Sequence, residues 1–375
     1  MSKIKRKNHI IAVICELNPP HAGHANLVAQ TRHAYPDGAV VAIMSPNFVQ
    51  RGEPAIFAKH ARAAAALDIG FDLVIELPMQ FALSSAEGFA RAGLALAVAI
   101  GANTLAFGAE CGDLDALKRA ADALNSEECE ARTRAELALG ASYARARQAA
   151  LDAILGDGAD VLRSPNNLLG IEYIRAAARI GAEFGFFVIR REAGVSATAE
   201  RAKIRESGDA IAMLPENLDV AVLSRLRTMS VDDFAQIVGG DDGVAERAAR
   251  YAPAAASIDE LAQSIKTKRH TMSRVKRFIL ASALGITRDD AAAPQYLRVL
   301  AANATGREVL RTAAPVGDGL SVPSPNNALP VITKPAAARD LLALEAAATD
   351  LYNLGQGDVA LRKGGTEWRT SPIMP

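Results

Sequence analysis

Residues 10–27 read IIAVICELNPPHAGHANL, and the fold hangs on how this stretch is read. Ile10 to Cys15 is short, apolar and rich in β-branched residues, the pattern of a buried strand. Asn18, Pro19 and Pro20 end it, because proline lacks a backbone N–H and restricts φ. From His21 the spacing turns helical and continues through Leu27 and Val28. His21 and His24, three positions apart, share one face of that helix start. They lie beside free N–H groups and the positive end of the helix dipole, where phosphate binds in open α/β sheets. Gly23 leaves room for a ligand near the backbone. Such a histidine pair is in other settings a surface pair or a metal site, but the glutamate of the zinc-helix pattern is missing. The strand in front of the pair favours phosphate chemistry.

Further strands read at 39–44, 73–77, 105–107 and 184–189, with helices at 57–68, 85–100 and 168–179 between them. This alternation predicts a doubly wound parallel α/β sheet with right-handed crossovers. The polar loop 45–54 and the turn at Gly108 then lie at carboxyl ends of strands, where ligand loops gather. Asn166 and Asn167 either cap the helix that follows or offer amides to a nucleotide. Arg190 and Arg191 close the fifth strand, as solvated surface or as phosphate ligands. Ser196-Ala197-Thr198 leads into Arg201 at another helix start. Beyond residue 214 strand signals fade and helices read at 218–227, 231–238 and 258–265. The expected division is a nucleotide-binding domain over 1–213 and a mainly helical one over 214–375.

The 42 basic residues equal the 42 acidic ones, which excludes a globally basic nucleic-acid binder. Any polyanion site is therefore local. KTKRHTMSRVKR at 266–277 is the candidate, holding Lys266, Lys268, Arg269, Arg274, Lys276 and Arg277 and no acid. A plain solvated face is the competing reading. Cys15, Cys111 and Cys129 fit neither a metal spacing nor a disulfide framework, so a reducing cytoplasm is expected. The basic start MSKIKRKN does not lead into a signal peptide's apolar core, and no stretch is long enough to span a membrane. Residues 315–335, rich in proline, read as extended or looped. GQGDVA at 355–360 loosely matches a dinucleotide fingerprint but comes too late for a βαβ unit. No P-loop, nucleophile elbow, Cys/His cluster or protein-partner signal is found.

H-x-G-H resembles the signature of nucleotidyltransferases. Several more segments together resemble a narrower family, the bacterial-type tRNA(Met) cytidine acetate ligases. They are ELNPPHAGH at 16–24, MSPNFVQRGEPAI at 44–56, Lys59 and Arg62, and DLVIELP at 72–78. Ser85-Ala86-Glu87, FGAE at 107–110, PNNLLGIEYI at 165–174, the SAT of 196–198 and TKRHTMSRVKR at 267–277 complete the set. Pro46 stands where the family usually has glycine, and Ala58 and His60 replace an Asp and a Trp around Lys59. The resemblance implies activation of acetate by ATP to acetyl-adenylate, then transfer to N4 of the wobble cytidine of elongator tRNA(Met).

Magnesium is expected with ATP, and His21 and His24 are the expected catalytic residues. The ATP site is expected across the carboxyl ends of the first and fourth strands. It would draw on Ile14, Cys15, Glu16, Leu17, Asn18, Pro19, Pro20, His21, Gly23, His24, Leu27, Gly108, Asn166, Asn167 and Arg191. Lys59 is a further candidate phosphate contact, and the six cations of 266–277 are the expected tRNA contacts. A small-molecule adenylyltransferase and a non-catalytic nucleotide- or RNA-binding protein of the same fold are the competing functions.

Overall fold

In the computed structural model, residues 9–181, 183–191, 197–207, 212–291, 293–313 and 329–375 are described. The chain runs β1 (Ile10–Cys15), α1 (Ala22–Ala34), β2 (Ala39–Met44), a hairpin of β3 (Phe48–Val49) and β4 (Glu53–Pro54), and α2 (Lys59–Asp68). Next come β5 (Leu73–Glu76), α3 (Met79–Ala82), α4 (Ala86–Ala99) and β6 (Thr104–Ala109). Four helices follow, α5 (Leu114–Leu124), α6 (Glu127–Ala138), α7 (Tyr143–Leu155) and α8 (Pro165–Ile180), before β7 (Gly185–Arg190) and α9 (Ala197–Ser207). The remainder comprises α10 (Asp219–Leu226), α11 (Val231–Gln236), α12 (Val244–Tyr251), α13 (Ile258–Ile265) and α14 (Met272–Leu284). It continues with β8 (Leu297–Ala302), α15 (Ala304–Ala313), β9 (Val331–Ile332) and α16 (Ala343–Leu354).

One sheet has the order β7-β6-β1-β2-β5-β8-β9. The first five are mutually parallel, with Cys15 opposite Met44 and Ala109 opposite Arg190, so their carboxyl ends share one edge. Alternation along β1 separates two faces. Ile11 and Val13 pack with Val28 of α1 and with Ala63 and Ala66 of α2. Ile10, Ala12 and Ile14 face the other way, into a cluster with Phe89 and Leu94 of α4 and Ile171 of α8. A Cβ at Gly93 would come within 2.6 Å of the Ile14 side chain, so glycine lets α4 lie close on β1. This is the doubly wound arrangement expected from the sequence.

The end of the chain differs from the sequence reading. β8 pairs antiparallel with β5, and β9 pairs parallel with β8. Thus the segment beyond residue 214, mainly helical as expected, also supplies two strands to the sheet. The strand was hidden because every residue of LRVLAA is buried, Arg298 included, so no alternation marks it. The core is also continuous: Leu223, Phe234 and Phe278 belong to the same buried cluster as Phe89 and Phe107. Residues 355–360 form a turn and the start of a 3₁₀ segment, not the strand–helix a dinucleotide fingerprint needs. Residues 1–8 and 314–328 lie outside the described residues, so the basic start and most of the proline-rich stretch are not placed. No helix among the described residues is long and apolar enough to cross a membrane.

Candidate active site

The turn after β1 is built by polar groups that hold backbone. Leu17 has φ +48 and is fully buried, an uncommon conformation for a branched residue. The turn is over-determined around it. Asn18 Oδ1 accepts the Ile56 N–H at 2.7 Å, and Glu16 Oε1 accepts the Gln50 N–H at 2.9 Å. Arg62, 1% exposed, donates to the carbonyls of Phe57 (2.9 Å), Glu16 (2.5 Å), Ser45 (3.1 Å) and Pro46. One guanidinium thereby joins the loops leaving β1 and β2. Arg201 of α9 donates to the Asn18 carbonyl at 2.8 Å and to Thr198 Oγ1 at 3.1 Å.

His21 is the N-cap of α1, in extended conformation. Its Nδ1 accepts the Gly23 N–H at 3.0 Å, while His24 Nδ1 accepts the His21 N–H at 3.2 Å. The pair forms a capping box in which imidazoles replace the usual hydroxyl and carboxylate. The rings lie 3.9 Å apart between centroids, tilted by 37°. Because both Nδ1 atoms accept, the hydrogen bonds assign the neutral Nε2–H tautomer to both rings. Burial, followed by the neighbouring His21 imidazole and the Arg191 guanidinium, pushes His24 down to about 3. Burial and Arg191 also lower His21. Two neutral N–H donors at a helix N-terminus suit an incoming phosphate and cost no deprotonation.

Arg191 reaches this place from the end of β7. Its N–H donates to the Ala109 carbonyl at 2.9 Å, and a Cβ on Gly108 would sit 3.1 Å from its Cγ. Glycine at 108 therefore lets the arginine cross the end of β6 towards the two histidines. The expected set of β1 turn, histidine pair, Gly108 and Arg191 does come together at one edge of the sheet.

Asn166 and Asn167 are engaged at the start of α8. Glu110 caps α8: its Oε1 accepts Asn166 Nδ2 at 2.6 Å and its Oε2 accepts the Asn167 N–H at 2.9 Å. Asn167 Oδ1 in turn accepts the Cys111 N–H at 3.1 Å. The two asparagines hold the turn that follows Gly108, and an internal carboxylate already satisfies that helix end.

Lys59, a candidate phosphate contact, is turned into the protein. It is 1% exposed, and its Nζ lies 2.6 Å from Glu76 and 2.8 Å from Glu367. Its charge is consumed inside the protein. The six cations of 266–277 also divide. Lys266, Lys268 and Arg269 are exposed and pair with no carboxylate among the described residues. Arg274 lies 2.8 Å from Asp241, Lys276 lies 2.9 Å from both Glu53 and Asp259, and Arg277 donates to the Gln50 carbonyl at 3.1 Å. Lys276 and Arg277 fasten α14 to the β3–β4 hairpin and Arg274 is paired with Asp241, so the unengaged charge belongs to the first half. Ser196 lies outside the described residues.

Sequence reasoning missed Glu110, Arg62 and Arg201 as site builders. Arg62 carried a signal: a lone guanidinium inside the alanine-rich helix KHARAAAALD has little but backbone to bind. Among the described residues no three His, Cys, Asp or Glu side chains are grouped to hold a metal ion.

The family described as HIGH Nucleotidyl Transferase matches residues 8–211 and 195–367. A tRNA(Met) cytidine acetate ligase of Syntrophomonas wolfei is 30% identical, covering 97% of this chain and 99% of the relative. One of Syntrophotalea carbinolica is 34% identical, covering 81% of this chain and 82% of the relative. The crystal structure of Thermotoga maritima TmcAL bound with alpha-thio ATP superposes with a TM-score of 0.88 at 29% identity. That match covers 98% of this chain and 99% of the other.

Proposed function

Since the chain belongs to the tRNA(Met) cytidine acetate ligase family, we propose that it activates acetate with ATP and acetylates N4 of the wobble cytidine of elongator tRNA(Met). The observation that carries this reading is the pair of neutral Nε2–H donors at the α1 N-terminus, with Arg191 beside them. Acetate oxygen attacks the α-phosphorus of ATP, the bond to the bridging oxygen breaks, and pyrophosphate leaves with its electron pair. Charge grows on the phosphoryl oxygens, and prearranged donors stabilise it without reorganising. His21 and His24 are placed to donate to the α-phosphate and the departing group, with Arg191 neutralising them. The adenosine lies across the Gly108 turn that Glu110, Asn166 and Asn167 hold. Mg²⁺ accompanies ATP through its phosphates.

In the second step the cytidine N4 attacks the acetyl carbonyl carbon, the bond to AMP breaks and N4 gives up a proton to solvent, which requires the anticodon base to be splayed out of its stack. Residues 1–213 carry the adenylate chemistry, and 214–375 contribute RNA contacts through Lys266, Lys268 and Arg269. The substrate places the reaction in the cytoplasm.

The test is ATP–pyrophosphate exchange with and without acetate, followed by mass spectrometry of cytidine in tRNA(Met). Exchange should depend on acetate, and His24→Ala should lower it at least ~10²-fold. Acetate-dependent exchange with no acetylated tRNA would favour a small-molecule adenylyltransferase, and wild-type exchange in His24→Ala would remove the histidine from the reaction.

A further inference from the structure

We propose that a cavity in the helical insertion between β6 and β7 binds an unpaired nucleotide of the RNA substrate, with the base on Tyr143 and its phosphate among arginines. The inference rests on the RNA reading above and adds a second place of contact, outside the ATP site and the 266–277 segment. The cavity encloses about 660 Å³, within the ordinary range for a small-ligand pocket. Arg134, Arg147, Arg175 and Arg179 line it together with Tyr143 and Leu137.

The charges are held from behind. Glu172, 1% exposed, accepts Arg147 at 2.9 Å and Arg175 at 2.7 Å, so one buried carboxylate orients two guanidiniums. Arg179 pairs with Glu87, and Arg134 lies 3.7 Å from Glu130 with 71% of its side chain exposed. Four arginines thus meet three carboxylates, which leaves an excess of positive charge. The rim is apolar. Tyr143 is 55% exposed and Leu137 38%, and the Arg147 guanidinium lies 5.6 Å from the Tyr143 ring centre. An open aromatic ring beside arginines is the chemistry that holds a single-stranded nucleotide, by stacking on the ring and by charge on the phosphate. A base-paired duplex keeps its base faces stacked and has none to offer the ring.

The test uses the full chain and unmodified tRNA(Met). Tyr143 and Arg134 are exposed, and Glu172 holds Arg147 apart from its contact with the Tyr143 ring, so Tyr143→Ala and Arg134→Glu should stay close to the parent's melting temperature. Tyr143→Ala should weaken tRNA affinity about 5- to 150-fold, while Tyr143→Phe, which keeps the ring, stays within about twofold of the parent. Arg134→Glu should lower the slope of log affinity against log salt by roughly 0.7 to 0.9, the share of a single neutralised phosphate. Acetate-dependent pyrophosphate exchange should not change in any of the three. If the parent acetylates tRNA and Tyr143→Ala binds it equally well, this inference is overturned and the function stands. If the parent neither binds nor acetylates tRNA, the function itself fails. Dissociation of a dimer by Leu137→Glu, with tRNA affinity kept, would assign the rim to a second copy of the chain and overturn the nucleotide site.

Discussion

His24 accepts a backbone N–H at Nδ1, so its Nε2 is the atom left for chemistry. Folded, its imidazole is pushed down to about 3, whereas an unfolded histidine titrates near 6.5. Between those two values the unfolded chain binds the extra proton. Stability linked to His24 is therefore complete above pH 6.5 and is lost as pH falls towards 3, by up to about 1.4 kcal/mol per unit. In an NMR titration of the ligand-free protein, the His24 ring should show no midpoint between pH 5 and 8. A midpoint near 6.5 would mean that the ring is neither buried nor capped as described. Lys59 gives the converse case. Lys59→Met strips the cation from Glu76 and Glu367, and breaking such a buried pair costs about 3–5 kcal/mol in chemical denaturation. Pyrophosphate exchange measured well below the melting temperature should keep its ATP dependence, which a phosphate-binding lysine would not allow. The histidines were legible because a strand, two prolines and a helix start locate them. The fate of Lys59 was not, since both of its partners are distant in sequence.

At the scale of elements, the parallel strands were readable because each is a short apolar run between turn residues. β8 was not, because burial on both faces and an internal Arg298 erase the pattern. The two-residue strands β3 and β4 are too short to show any period. Their hairpin matters nonetheless, because Gly52 at its tip has φ +77 and a Cβ there would lie 2.4 Å from the Arg277 nitrogen. This close approach, together with Lys276 and Arg277, ties the tip to α14. The basic motif consequently mixes two roles that residue type alone cannot separate. Replacing Lys266, Lys268 and Arg269 together by alanine should weaken tRNA binding and reduce its salt slope by roughly 0.7 to 0.9 for each phosphate the three had neutralised. Exchange and thermal stability should stay as in the parent. An unchanged salt slope would return the whole segment to the status of a solvated face.

At the scale of the molecule, the sheet and the C-terminal helices are welded by contacts between distant parts of the chain. Asn47 Nδ2 donates to Thr349, the Met79 N–H to Glu345, and the Tyr352 hydroxyl to the Ala55 carbonyl at 2.9 Å. Ile373 bridges to β8. With one buried cluster running through both parts, calorimetry should show a single cooperative transition; two resolved transitions would show that residues 1–213 and 214–375 fold apart. The Tyr352–Ala55 bond also has a consequence for biosynthesis. Its partners are 297 residues apart, and at ribosomal speeds of roughly 5–20 residues per second they emerge about 15–60 s apart. Until residues 297–302 follow, the nascent chain carries its ATP-site strands without β8 on the open edge of β5. Lys59 and Glu76 meanwhile await Glu367. A growing polypeptide of this kind needs shelter for that edge until β8 is made.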